Sequence, residues 1–186
     1  MKRIITLLAT LLSISAAVIP ELRNKLSAGD LTSADAIVNQ YFRANGANSE
    51  YAAAVSWLAR GALMLGDNDA ATRYLAKTKG LIADLLKTSN VENDSFLSTA
   101  IGASIEVEAR MLSTQGHTDK AVALLEAELA RSKTWSIRFR IQKNINLLTL
   151  VGKPAPEMDP NDVGKPVLLF LWAHWCSDCK AQAPAL

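Results

Sequence analysis

From Pro20 to about Leu150 the apolar residues recur three and four apart, the spacing of helices that bury one face. The breaks between the runs carry helix stop and start residues, and they repeat. Gly29-Asp30-Leu31-Thr32-Ser33-Ala34, Gly66-Asp67-Asn68-Asp69-Ala70-Ala71 and Gly116-His117-Thr118-Asp119-Lys120-Ala121 each place a glycine five residues before an alanine. Glycine accepts the left-handed conformation that ends one helix, an Asp, Asn or Thr caps the next, and the small alanine lets the pair approach closely. Downstream of each alanine an apolar pair stands in register: Ile37 and Val38, Tyr74 and Leu75, Leu124 and Leu125. Upstream, Ala53 to Leu65 and Ala100 to Leu112 are expected to form the partner helices.

These helix-turn-helix units resemble tetratricopeptide repeats through their G-x-x-x-x-A signature. The resemblance implies an antiparallel helical array, a type that usually binds peptides in a concave groove. The second interval between glycines is longer than the first, a departure from the regular period of that family. A last helix is expected over Trp135 to Thr149, with Ile137, Ile141, Ile145 and Leu148 on its apolar face and Arg138, Arg140 and Lys143 on a polar face read as solvated. Tyr41, Phe42, Trp57, Tyr74 and Phe96 sit at helical positions and are read as core.

After Leu150 the pattern changes. Pro154, Pro156 and Pro160 cannot continue a helix, so Val151 opens a linker or the entrance to a new domain. Val167-Leu168-Leu169-Phe170-Leu171-Trp172 is then a continuous apolar run of strand length, as in the centre of a sheet covered on both faces. The expected fold is therefore mainly α: an antiparallel helical array over residues 18–150, followed by one strand and one helix of an α/β domain over residues 151–186.

Composition agrees with packed helices: of the 186 residues 49% are hydrophobic but only 6% aromatic. With 20 Lys and Arg against 18 Asp and Glu, and no basic stretch interleaved with aromatics, nucleic acid is a poor partner. Residues 1–17 have the layout of a signal peptide: Met1-Lys2-Arg3 is the positive segment, Ile4 to Ile14 the apolar one, and Ser15-Ala16-Ala17 the small-residue cleavage site. Export, to a bacterial periplasm, is the expectation. A retained membrane anchor is the rival, but the apolar run stops near Ile19 and Pro20, short of the roughly 20 residues a spanning helix needs.

Both cysteines fall in one C-x-x-C, Cys176-Ser177-Asp178-Cys179. A loop this small staples nothing, which points to redox chemistry. A strand ending at Trp172 and a helix starting near Cys176 would put the first thiol at a helix N-terminus, where unpaired N–H groups favour the thiolate. Cys179 would lie one turn on, within reach but shielded. Cys176 is thus the expected nucleophile and Cys179 the resolving thiol. His174, if protonated, favours the thiolate and Asp178 opposes it, while Trp172 and Trp175 pack beside a partly exposed sulfur. A structural zinc needs about four ligands, and His174 with the remote His117 do not complete a set, so no metal is expected. No cofactor is expected either.

The stretch Pro166 to Pro184, with Trp172-Ala173-His174-Trp175-Cys176-Ser177-Asp178-Cys179-Lys180 at its centre, resembles the active-site region of the thioredoxin superfamily, most of all exported thiol-disulfide oxidoreductases of the TlpA type. Gly152-Lys153-Pro154-Ala155-Pro156 is similar to the entrance of those proteins. The resemblance implies the same two cysteine roles, a redox disulfide Cys176–Cys179, protein thiols and disulfides as substrates and an upstream redox donor as partner. Two features depart from that pattern: neither proline nor glycine lies between the cysteines, and Phe170 stands where relatives often have a buried acid or amide. Because that fold takes roughly 100 residues, residues 151–186 are expected to hold only its start, as a fragment that is itself impaired. The alternative is a helical protein–protein interaction module with a non-functional redox tail.

Overall fold

The computed structural model describes residues 18–154, 164, 173 and 176–182, and the chain divides into two units after Val151. The first unit is an α-array. Its helices are α1 (Val18–Ser27), α2 (Leu31–Asn45), α3 (Ser49–Met64), α4 (Asn68–Leu85), α5 (Ser95–Thr114), α6 (Thr118–Arg131) and α7 (Trp135–Thr149), with a 3-10 turn at Val91–Asn93. Among its described residues the second unit has one short helix, α8 (Ser177–Gln182). The expected strand over residues 167–172 lies outside the described residues. None of the described helices is long and apolar enough to cross a membrane; residues 1–17 lie outside that set.

The three glycine turns share one geometry. Gly29, Gly66 and Gly116 take φ of 78°, 79° and 84°, the left-handed region where a side chain would strain the backbone. In each turn the glycine N–H donates to the carbonyl three residues back and the next N–H to the carbonyl five back. Thus Gly29 N reaches Leu26 O at 3.0 Å and Asp30 N reaches Lys25 O at 3.0 Å, and the turns at Gly66 and Gly116 repeat both bonds. Ala34, Ala71 and Ala121 are fully buried, as a close helix crossing requires.

The caps differ. Asp30 and Asp67 accept from the amides of Ser33 and Ala70, both at 2.9 Å, whereas His117 occupies the third cap position and makes no side-chain cap bond. The backbone there is close to the other two, with φ/ψ of −100°/51° against −82°/82° at Asp67. His117→Asp is therefore expected to stabilise the array by about 1 kcal/mol. Thermal unfolding of the two chains side by side checks this, and an unchanged midpoint would refute it.

Packing follows the hairpins. The first helix of each pair touches the first of the next (α1 with α3, α3 with α5, α5 with α7), while α2, α4 and α6 each pack on their own partner and on the next first helix. Leu22, Val38, Tyr51, Val55 and Leu58 form one apolar cluster. Ile105, Leu125, Ile137, Ile141 and Ile145 form another. Between them Ala59, Ala62, Ala70 and Ala71 bring α3 and α4 together with little side-chain bulk. The longer second interval has a plain origin. Helix α4 has 18 residues against 15 in α2, α5 has 20 against 16 in α3, and residues 86–94 replace the short link 46–48.

Polar groups tie the helix starts. Asp94 accepts from Leu97 N at 2.9 Å and from the Ser49 hydroxyl, linking the first turns of α3 and α5. Glu50 accepts from Val18 N at 3.2 Å and from the Tyr41 hydroxyl at 2.9 Å, and the Tyr74 hydroxyl donates to Asp35 at 2.8 Å between α4 and α2. Burial first, then the Asp35 carboxylate, pushes the Tyr74 phenol above its ordinary range.

Two aromatic expectations need correction. Phe42 is 43% exposed and Phe96 38%, because Phe42 lies near the end of α2, with its ring 4.8 Å from that of Tyr51, and Phe96 sits in the first turn of α5. Tyr51, on α3, is the aromatic that fills the core.

Candidate functional site

In the second unit Cys176 and Cys179 form a disulfide with Cα atoms 5.3 Å apart. Cys176 N donates to Ala173 O at 2.9 Å, and Cys176 O accepts from Lys180 N at 3.2 Å, which makes Cys176 the cap of α8. Its Sγ then takes the place of a capping oxygen: Cys179 N donates to Cys176 Sγ at 3.2 Å. On reduction that N–H faces whichever charge the sulfur carries, and it favours the thiolate. Both cysteines are half-buried, while Ser177 and Lys180 are exposed.

Of the expected tuning groups, His174 and Trp175 lie outside the described residues, as does Phe170. Asp178 is in α8, but its side chain is outside them too. The described residues therefore bring together Cys176 and Cys179. They hold no grouping of three or more His, Cys, Asp and Glu side chains suited to a metal ion.

A second polar constellation lies in the first unit, and sequence reasoning missed it. Glu106, on the buried face of α5, has a side chain only 10% exposed and meets three arginines. Arg60 Nη2 of α3 stands 3.2 Å from Oε1, Arg110 Nη1 of α5 3.8 Å from Oε1, and Arg140 Nη1 of α7 3.5 Å from Oε2. Burial lowers the Arg140 guanidinium from its ordinary value, Glu106 opposes that, and Arg60 adds to it. Arg140 is thus not on a solvated face, as the basic stripe of α7 suggested. Arg138 and Lys143 are exposed, and Arg138 donates to the carbonyls of Leu129 and Ser132 at the end of α6.

The signal for this cluster was present in the sequence. Glu106 falls on the helix face marked by Ala103 and Ala109, three residues to either side, and Gly102 sits in mid-helix four residues before it. A Cβ on Gly102 would come within 3.0 Å of Arg140 Cδ, so the bare backbone there makes the seat for that arginine. Family models, curated proteins and solved structures were compared with the chain, and none of them matches.

Proposed function

We propose that the chain is part of an exported thiol-disulfide oxidoreductase of the thioredoxin superfamily, TlpA type, in which an array resembling tetratricopeptide repeats precedes the redox domain. The observation that carries this reading is the amide of Cys179 directed at Cys176 Sγ, in a disulfide at the start of a helix. In the reduced protein the Cys176 thiolate attacks one sulfur of a client disulfide. A mixed disulfide forms and the first client thiolate leaves. Deprotonated Cys179 then attacks Cys176 Sγ, the mixed disulfide breaks, and the second client thiolate leaves. Two electrons pass to the client and the Cys176–Cys179 bond returns. An upstream dithiol donor restores the reduced pair by the same exchange in reverse.

The test is alkylation of the reduced chain by iodoacetamide across a pH series, with the modified residue identified by mass. Cys176 is expected to react with a midpoint below the ~8.5 of a free thiol, and ahead of Cys179. A midpoint at or above the free-thiol value, or preferential labelling of Cys179, counts against the assignment. The second reading, a helical interaction module with a non-functional redox tail, is favoured by a different observation: the Glu106 cluster opens into a cleft of the α-array.

A further inference from the structure

The cleft between α3, α5 and α7 has a volume of about 540 Å³ and is lined by Arg60, Arg110, Arg140, Lys143 and a single carboxylate, Glu106. Glu106 is already shared among three guanidiniums, so the lining carries a surplus of positive charge that nothing in it offsets. Arg60 Nε is buried and has no hydrogen-bond partner among the described residues. The mouth is aromatic: Trp135 and Phe139 of α7 stack at 5.3 Å between ring centroids and are 74% and 61% exposed. Large exposed aromatic faces beside cations are the composition of a recognition surface rather than of a solvated one.

The surface does not end at the cleft. On its far side Arg60 lies over the Trp57 ring, 4.6 Å from the centroid, and Arg23 of α1 lies over the same ring at 5.1 Å. Cations and aromatics therefore run across α1, α3, α5 and α7, each of which touches the next. With neighbouring helix axes ~8–10 Å apart, the strip is on the order of 25–30 Å long. An extended chain of roughly eight residues has that reach. A small anion would meet one point of it.

We propose that this strip binds an extended acidic peptide segment of a partner protein. Carboxylates of the segment meet Arg110, Arg140 and Lys143, and apolar side chains between them lie on Trp135 and Phe139. Arg140 is available to it because Gly102 leaves room, and Glu106 anchors the guanidiniums so that they are ordered before the ligand arrives. The inference stands on the α-array alone and does not need the dithiol to be active.

The probe is an end-blocked octapeptide of alternating glutamate and leucine, titrated into the full chain by calorimetry, with alternating lysine and leucine as the counterpart. The glutamate peptide is expected to bind with a dissociation constant on the order of 10 µM and to weaken several-fold as salt shortens the electrostatic range. Arg110 and Lys143 are exposed, so R110A/K143A is expected to keep its helical circular dichroism and lose at least about tenfold in affinity. Phe139→Ala, also at an exposed position, is expected to weaken binding as well and serves if the double variant unfolds. Replacing both cysteines by serine should leave the affinity unchanged, which separates this site from the redox reading. Equal binding of the lysine peptide, undiminished binding by R110A/K143A or F139A, or full displacement of the glutamate peptide by inorganic phosphate would each overturn the proposal.

Discussion

Cys179→Ser is expected to turn the dithiol from an exchanger into a trap. A reduced parent chain treated with an aromatic disulfide such as 5,5′-dithiobis(2-nitrobenzoate) should release two aromatic thiolates, because Cys179 attacks the mixed disulfide on Cys176 and closes the intramolecular bond. In C179S the second step has no nucleophile. One thiolate is released, and the adduct on Cys176 persists, visible as a mass increase of one aryl thiol. Resolution slows by about two orders of magnitude or more, since a serine hydroxyl does not attack a disulfide at neutral pH. Cys176→Ser lacks the sulfur that receives the Cys179 amide and should react far more slowly than C179S. Equal rates for the two variants would remove the assignment of roles. The small aromatic disulfide needs no client-binding surface, so the result bears on the cysteines alone.

The second large effect concerns stability. Glu106→Ala leaves Arg60 and Arg140 close together at a partly buried site without the carboxylate that bridges and neutralises them. Loss of one member of a fully buried ion pair costs about 3–5 kcal/mol. The arginine side chains here are 23% and 28% exposed, so solvent screens part of the repulsion and a cost of about 2 kcal/mol is expected. Glu106→Gln keeps the shape and one acceptor and should cost less. Urea unfolding of both variants checks the order. If E106A unfolds at the same midpoint as the parent, the cluster contributes nothing net. The carboxylate would then be a spectator of the three arginines.

The local features of the array were legible in the chain because they are written in contiguous residues. The glycine that takes positive φ, the buried alanine five residues on and the apolar pair after it lie within one short segment, and Val38, Leu75 and Leu125 are buried where that pattern puts them. Helix α7 runs from Trp135 to Thr149 with Ile137, Ile141 and Ile145 inside, as its spacing predicts. The expectation of an Asp, Asn or Thr cap fails in the third turn, because the cap position there falls to His117, whose side chain makes no such bond, and Thr118 is already the first helical residue. The Glu106 cluster was not legible in the same way. Its members come from three helices, and only tertiary packing brings Arg60 and Arg140 to one carboxylate. For the dithiol, the C-x-x-C spacing places Cys179 one turn beyond a capping Cys176, and the amide-to-sulfur bond is the geometric form of that spacing. The roles of His174, Trp175 and Asp178 depend on side chains outside the described residues.

The same glycine turns bear on how the polypeptide acquires its structure. Each turn joins two helices adjacent in sequence, and among the described residues each pair packs against the pairs next to it along the chain. Contacts so close along the chain demand little loop-closure entropy, which favours rapid assembly. A chain emerging amino end first from a ribosome can therefore close α1 on α2 while α5 is still being delivered. Each finished pair then offers an apolar template to the next, so that ordering proceeds like a zipper in the direction of synthesis.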